Sequence, residues 1–120
     1  LPNLQIGADI EIIAPHPQYF IEDYFTTHEI AQCFQSSEAL RPSMITAIWS
    51  AKEAVLKALQ QGLAWDTRQV EIDLSPARLE IADQGTWGKA SITLPHIKGK
   101  SWQLWIQRHQ AFIATLACLK

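Results

Sequence analysis

The sequence predicts an α+β fold in which an antiparallel sheet packs on a long central helix. Three features carry that prediction: a strand-like alternation near the N-terminus, a long helical periodicity in the middle, and a second half of short alternating apolar segments separated by turn residues. With 120 residues, 48% of them hydrophobic, the chain is expected to form a single domain over 1–120 with one core.

Leu4 to Ile13, LQIGADIEII, sets Ile6, Ile10 and Ile12 on one side of a strand and Gln5, Asp9 and Glu11 on the other. Pro15 and Pro17 in the following APHPQ remove backbone donors and end it. QYFIEDY, residues 18–24, reads as a short helix. Thr26 and Glu29 have capping-box spacing for a second helix reaching about Gln35. The long helix runs from Pro42 to about Gln61, with proline suited to its first turn, Gly62 suited to its C-cap, and Ile45, Ile48, Val55, Leu56 and Leu59 recurring at three- and four-residue spacings. Beyond it, RQVEIDL (68–74), RLEIA (78–82), ASITL (90–94), SWQLWIQ (101–107) and AFIATLACL (111–119) are expected to form an antiparallel meander. Turns are expected at Ser75-Pro76, Asp83-Gln84-Gly85, Lys98-Gly99-Lys100 and His109-Gln110.

A formal net charge of −2 gives no general reason to expect nucleic-acid binding. Cys33 and Cys118 lie far apart, with no CxxC pair and no cysteine-histidine cluster at zinc spacing, so a reduced, cytoplasmic setting is expected. No apolar run approaches the length of a membrane span, and the N-terminus lacks the basic-then-apolar order of a signal peptide. The chain opens at Leu1 rather than Met, as a domain cut from a longer polypeptide would.

Chemistry is concentrated in two short stretches. In WSAKEAVLKAL, residues 49–59, Trp49, Glu53 and Lys57 are spaced i, i+4, i+8 and share one stripe of the helix, while Lys52 points about 100° away toward solvent. Taken alone, Glu53 and Lys57 make an ordinary helical ion pair of about 0.2–0.5 kcal/mol, and Asp9 and Glu11 make the wet face of an edge strand. Taken together, three carboxylates with a lysine one turn on form a set that suits Mg²⁺, which prefers hard oxygen ligands and is commonly completed by phosphate. The lysine would supply point charge to that phosphate.

The pair of stretches resembles the signatures of the 4′-phosphopantetheinyl transferases, a G-[IV]-D-[IVL]-E strand followed some tens of residues later by a W/F-x-x-K-E-[SA]-x-x-K helix. Gly7-Ala8-Asp9-Ile10-Glu11 matches the first with alanine in place of a branched residue, and Trp49 to Lys57 matches the second at every fixed position. The resemblance implies that Asp9, Glu11 and Glu53 hold Mg²⁺ against the pyrophosphate of coenzyme A. Glu53 would help deprotonate a serine of an acyl- or peptidyl-carrier protein. Lys57, with Lys52 as a further coenzyme A contact, would meet the phosphates and the departing 3′,5′-ADP.

The chain looks most like the C-terminal half of the longer, two-halved, surfactin-synthetase-activating type. Relatives carry a His-Ser segment that grips coenzyme A, whereas Arg108-His109 here stands without a serine and His109 reads as a turn residue. A homo-oligomer, dimer or trimer, or pairing with an N-terminal half is therefore expected to complete the cleft, and the five tryptophans (49, 65, 87, 102 and 105) fit exposed apolar surface. Arg68, Arg78, Lys98 and Lys100 are candidate contacts for an acidic carrier protein. The alternative is a catalytically incomplete transferase-like domain that binds a carrier protein or partner subunit without turnover.

Overall fold

The computed structural model describes residues 4–59, 66–82, 86–93 and 101–119. Its five strands, β1 (Gln5–Ile12), β2 (Glu71–Asp73), β3 (Gly88–Thr93), β4 (Trp102–His109) and β5 (Phe112–Leu119), form one sheet in the order β1-β5-β4-β3-β2, every pairing antiparallel. The antiparallel run of β2 to β5 keeps four of the five segments expected in the meander, and β1 adds to its far edge by pairing with β5. The helices are α1 (Gln18–Tyr24), α2 (Thr27–Gln35), α3 (Arg41–Leu59) and α4 (Pro76–Ile81).

α3 lies across β1 and β5 on one face of the sheet. Apolar side chains from both layers close the core: Met44, Ile48, Val55 and Leu56 from the helix, Leu104, Ile106, Ile113 and Leu119 from the strands. Ser50 and Thr115 meet inside it, their hydroxyls 2.9 Å apart and the Thr115 hydroxyl also donating to the Ser50 carbonyl at 3.0 Å, so neither polar group is left unpaired. α2 begins with the expected capping box. The Thr26 hydroxyl accepts from the Glu29 amide at 3.2 Å, and the Glu29 carboxylate accepts from the Thr26 amide at 2.8 Å.

Three expectations are corrected. Residues 78–82, expected as a strand, form the end of α4 and its C-cap Ala82: the Ser75 hydroxyl accepts from the Arg78 amide at 3.3 Å and Pro76 occupies the first turn, a start signal that outweighs alternation over five residues. Of the segment 68–74 only Glu71–Asp73 is strand; Thr67–Gln69 forms a 3-10 turn capped by Asp66, whose carboxylate accepts from the Arg68 amide at 2.9 Å. In β1 the faces are reversed relative to a wet acidic side. Gln5, Gly7, Asp9 and Glu11 turn toward α3, while Ile6, Ile10 and Ile12 are 57–65% exposed. The expected C-cap at Gly62, the turns at 83–85 and 98–100, and Trp65 lie outside the described residues. Among the described residues no helix is long and apolar enough to cross a membrane.

Candidate functional site

The reversal of β1 begins at Gly7. A Cβ built there would overlap the Ala54 carbonyl oxygen and crowd the Ala58 amide, so only glycine lets the strand lie directly on the α3 backbone. Alanine at 54 and 58 keeps the helix side of the contact equally thin. Two residues on, the same face carries Asp9 and then Glu11, and the facing stripe of α3 carries Glu53 and Lys57.

Asp9, Glu11, Glu53 and Lys57 are thus brought together as expected. The Lys57 ammonium reaches across to Asp9 Oδ1 at 2.8 Å and to the Ala8 carbonyl at 3.2 Å, so the helix-to-strand pair replaces an ordinary Glu53-Lys57 surface pair. The Asp9 side chain is 7% exposed and that of Lys57 53%. Burial pushes the Glu53 carboxyl above the usual carboxylate range, with the charge of Asp9 adding to it. Glu11 is raised for the same two reasons, and its carboxyl lies within reach of that of Asp9. The Asp9 contact holds the Lys57 ammonium above its ordinary value and hence fully protonated at neutral pH.

Three carboxyls face one ammonium, and the second oxygen of Asp9 is buried without a partner. Among the described residues the acidic groups are not already spaced as a closed metal cage; Lys57 is the cation at Asp9. The donor set nonetheless fits a hard divalent ion: all oxygen, in excess negative charge, with one buried oxygen unpaired. Beside Lys57 a cleft of about 450 Å³, lined by Ala8, Asp9, Ile10, Trp87 and Leu116, opens the site toward the outer face of the sheet. On the α1 side, Trp49 packs against Phe20 and Tyr24 with ring centroids 4.9 and 5.3 Å apart, and His16 stacks on Phe20. This aromatic ridge begins one helical turn before Glu53.

Lys52 is corrected. It is fully buried, and its ammonium donates to Glu29 at 2.8 Å, to the Thr67 carbonyl at 2.7 Å and to the Val70 carbonyl. Three acceptors for three ammonium hydrogens leave nothing to offer a phosphate. Glu29 in turn accepts from the Ile72 amide at 2.8 Å and from Thr26. Burial pushes Glu29 up and Lys52 down, each toward its neutral form, against the pull of the pair itself. The saturated geometry is that of an ion pair. A signal for it was present, because Lys52 falls four residues after Ile48 and three before Val55, inside the apolar stripe, where a lysine requires a buried partner.

The other candidates lie apart from this cluster. Arg68 is exposed and paired with Asp66 at 3.1 Å, Arg78 is exposed on α4, and Lys98 and Lys100 lie outside the described residues. His109 ends β4 at the turn whose Gln110 adopts a left-handed backbone, φ 54°. Of the tryptophans, Trp49 and Trp102 are half-buried against the core, Trp105 is half-buried on the outer sheet face, and Trp87 is 45% exposed.

Solved structures share the fold. A Bacillus anthracis holo-(acyl-carrier-protein) synthase solved with CoA (3′,5′-ADP) superposes with a TM-score of 0.74 at 19% identity, covering 96% of this chain and 94% of that one. The holo-[acyl-carrier-protein] synthase of Neisseria meningitidis gives 0.73 at 17% identity, with 97% of each chain covered. A Synechocystis protein named as a 4′-phosphopantetheinyl transferase is 28% identical over 108 residues, 85% of this chain but 44% of that protein, so the chain spans under half the length of this curated relative. The family model of the 4′-phosphopantetheinyl transferase superfamily matches residues 5–117, a span containing both acidic stretches and all five strands' pairing core, and the chain belongs to that superfamily.

Proposed function

We propose that this chain forms the catalytic unit of a transferase that moves 4′-phosphopantetheine from coenzyme A to a serine of an acyl- or peptidyl-carrier protein in the cytoplasm. The observation that carries the reading is the convergence of Asp9, Glu11 and Glu53 with Lys57 at their rim. In the reaction the serine oxygen bonds to the phosphorus bearing the pantetheine arm, the phosphoanhydride bond breaks, and 3′,5′-ADP leaves with the bridging oxygen. Glu53, on the stripe of α3 that faces Asp9 and Glu11, accepts the serine proton. Lys57, held protonated, sets a positive charge beside the phosphates. Asp9, Glu11 and Glu53 are the residues that would hold Mg²⁺, which when bound neutralises and orients the pyrophosphate.

The reading extends to the second wall of the cleft. Among the described residues no helix covers the outer sheet face, where Ile6, Ile10, Ile12, Phe112 and Trp87 are 43–65% exposed. A patch of that kind on a unit this small suits burial against a second unit, either another copy or a preceding half. Because β1 is the edge strand carrying Asp9 and Glu11, a unit seated there borders the site.

The test is to incubate the full chain with coenzyme A, Mg²⁺ and an apo carrier protein and to weigh the carrier. A mass gain equal to one phosphopantetheine arm is expected. Glu53→Gln should slow the gain by about 10²–10⁴-fold, the usual contribution of a positioned general base. No gain at high protein concentration, with any preceding half also supplied, sinks the reading.

A further inference from the structure

The Asp9-Lys57 contact places a lysine where a metal-binding carboxylate would be wanted free, and this is the feature that the transferase reading leaves unexplained. Lys57 is fixed by two acceptors, Asp9 Oδ1 at 2.8 Å and the Ala8 carbonyl at 3.2 Å, on the open edge of β1. Asp9 is almost fully buried and its other oxygen has no partner, while Glu11 and Glu53 add two further carboxyls to the same small volume. Without a cation, such a cluster would be badly under-compensated. We propose that Lys57 is a tethered counter-ion that keeps Asp9 paired in the metal-free site, is displaced when a divalent cation takes the carboxylates, and is thereby released toward the phosphates.

Three observations support release rather than a permanent bond. Lys57 remains 53% exposed while Asp9 is 7% exposed, so the ammonium returns to water at little desolvation cost and Asp9 does not. Its side chain is unbranched and is held at its tip by the two contacts above. A divalent ion on the unpaired Asp9 oxygen would stand close to the Lys57 ammonium on the other, and the two charges repel most where burial weakens screening. Metal binding and phosphate binding then favour each other by linkage, since metal occupancy frees the charge that the phosphate uses.

This inference rests on the metal-dependent transferase reading, and the experiment separates the two. Mn²⁺, an oxygen-preferring ion with a paramagnetic signal, is titrated into the full chain without coenzyme A, using wild type, Lys57→Met and Lys57→Arg. Lys57→Met should bind about tenfold more tightly and Lys57→Arg within about twofold of wild type, as expected for removing or keeping one unit charge beside a divalent ion. In parallel, the rate of amine acylation at Lys57 is followed by peptide mass spectrometry with and without Mg²⁺. Saturating metal should raise that rate severalfold while leaving the exposed Lys89 unchanged. Equal Mn²⁺ affinity in wild type and Lys57→Met, or a Lys57 acylation rate indifferent to metal, overturns the inference and leaves the transferase reading standing. Failure of wild type to bind Mn²⁺ at millimolar concentration without coenzyme A also overturns the inference, while the carrier mass assay with coenzyme A present decides the transferase reading.

Discussion

Gly7 shows how much of the site depends on a missing methyl group. The strand and helix backbones touch at Gly7 and Ala54, and that contact sets how far Asp9 and Glu11 stand from Glu53. Gly7→Ala forces the layers apart, so it should cost about 2–3 kcal/mol in urea unfolding and weaken Mn²⁺ binding, whereas Ala8→Val on the opposite face should do neither. Glu53 works in the other direction. Its folded-state pKa is raised, so its favourable contribution belongs to acidic pH and disappears as pH climbs through the raised value; at neutral pH the charged form is a net cost. Glu53→Gln should therefore raise the melting temperature of the metal-free protein by about 1–3 °C while slowing transfer by about 10²–10⁴-fold, as read by calorimetry and the carrier mass assay. An unchanged or lower melting temperature would contradict this account of the site's electrostatics. Asp9, Glu11, Glu53 and Lys57 were all legible in the sequence because alternation and four-residue spacing fix which side chains share a face. Whether a face is wet or buried is decided by what packs on it, and for β1 that information lies in α3 about fifty residues away, which is why the isoleucine side was not foreseen as the exposed one.

At the scale of elements, the Glu29-Lys52 pair ties four pieces of chain together: the start of α2, the middle of α3, the 3-10 turn through the Thr67 carbonyl and β2 through the Ile72 amide. Gln32 adds a second clamp from α2, donating to the Ile72 carbonyl at 2.9 Å and accepting from the Leu74 amide at 2.7 Å. Lys52→Met leaves a buried carboxylate and two carbonyls without their partner, a change expected to cost about 3–5 kcal/mol in urea unfolding. Cys33 on α2 gives a local readout. It is fully buried and its thiol is pushed up to about 12, so it should resist alkylation at about pH 8 in the native protein and become reactive in Lys52→Met well before global unfolding. Equal protection in both proteins would mean that the pair does not hold α2 in place. The caps of α2 and the span of α1 could be read from local sequence because they depend on residues three or four apart. The clamp could not, since its partners are 15 to 43 residues apart in sequence. The α4 segment shows the opposite failure, a local cue at Ser75-Pro76 that a short apolar alternation obscured.

At the scale of the molecule, the helices and the open sheet face divide the labour. α3 covers one face and makes the core, and the site grows at the edge where that layer ends at β1. The other face presents Ile10 and Ile12 at 65% and 64% exposure, next to Phe112 through the Ile12-Phe112 register and to Ala114 through Ile10. Side chains that exposed contribute little to the isolated fold, so Ile10→Lys should leave the urea midpoint within about 0.5 kcal/mol of wild type. If the face seats a second unit, the same change buries an unpaired ammonium at an interface of about 800 Å² per partner and should be strongly disruptive there. The expected outcome is a wild-type protein that sediments as an assembly, with itself or with a preceding half, and a melting temperature that rises with concentration. The Ile10→Lys variant should sediment as a single unit and lose most carrier modification, yet retain wild-type affinity for Mn²⁺, because Asp9, Glu11, Glu53 and Lys57 all belong to one chain. Assembly and turnover that survive the substitution would place the second wall of the cleft elsewhere, and loss of Mn²⁺ binding together with assembly would mean that the partner shapes the metal site itself.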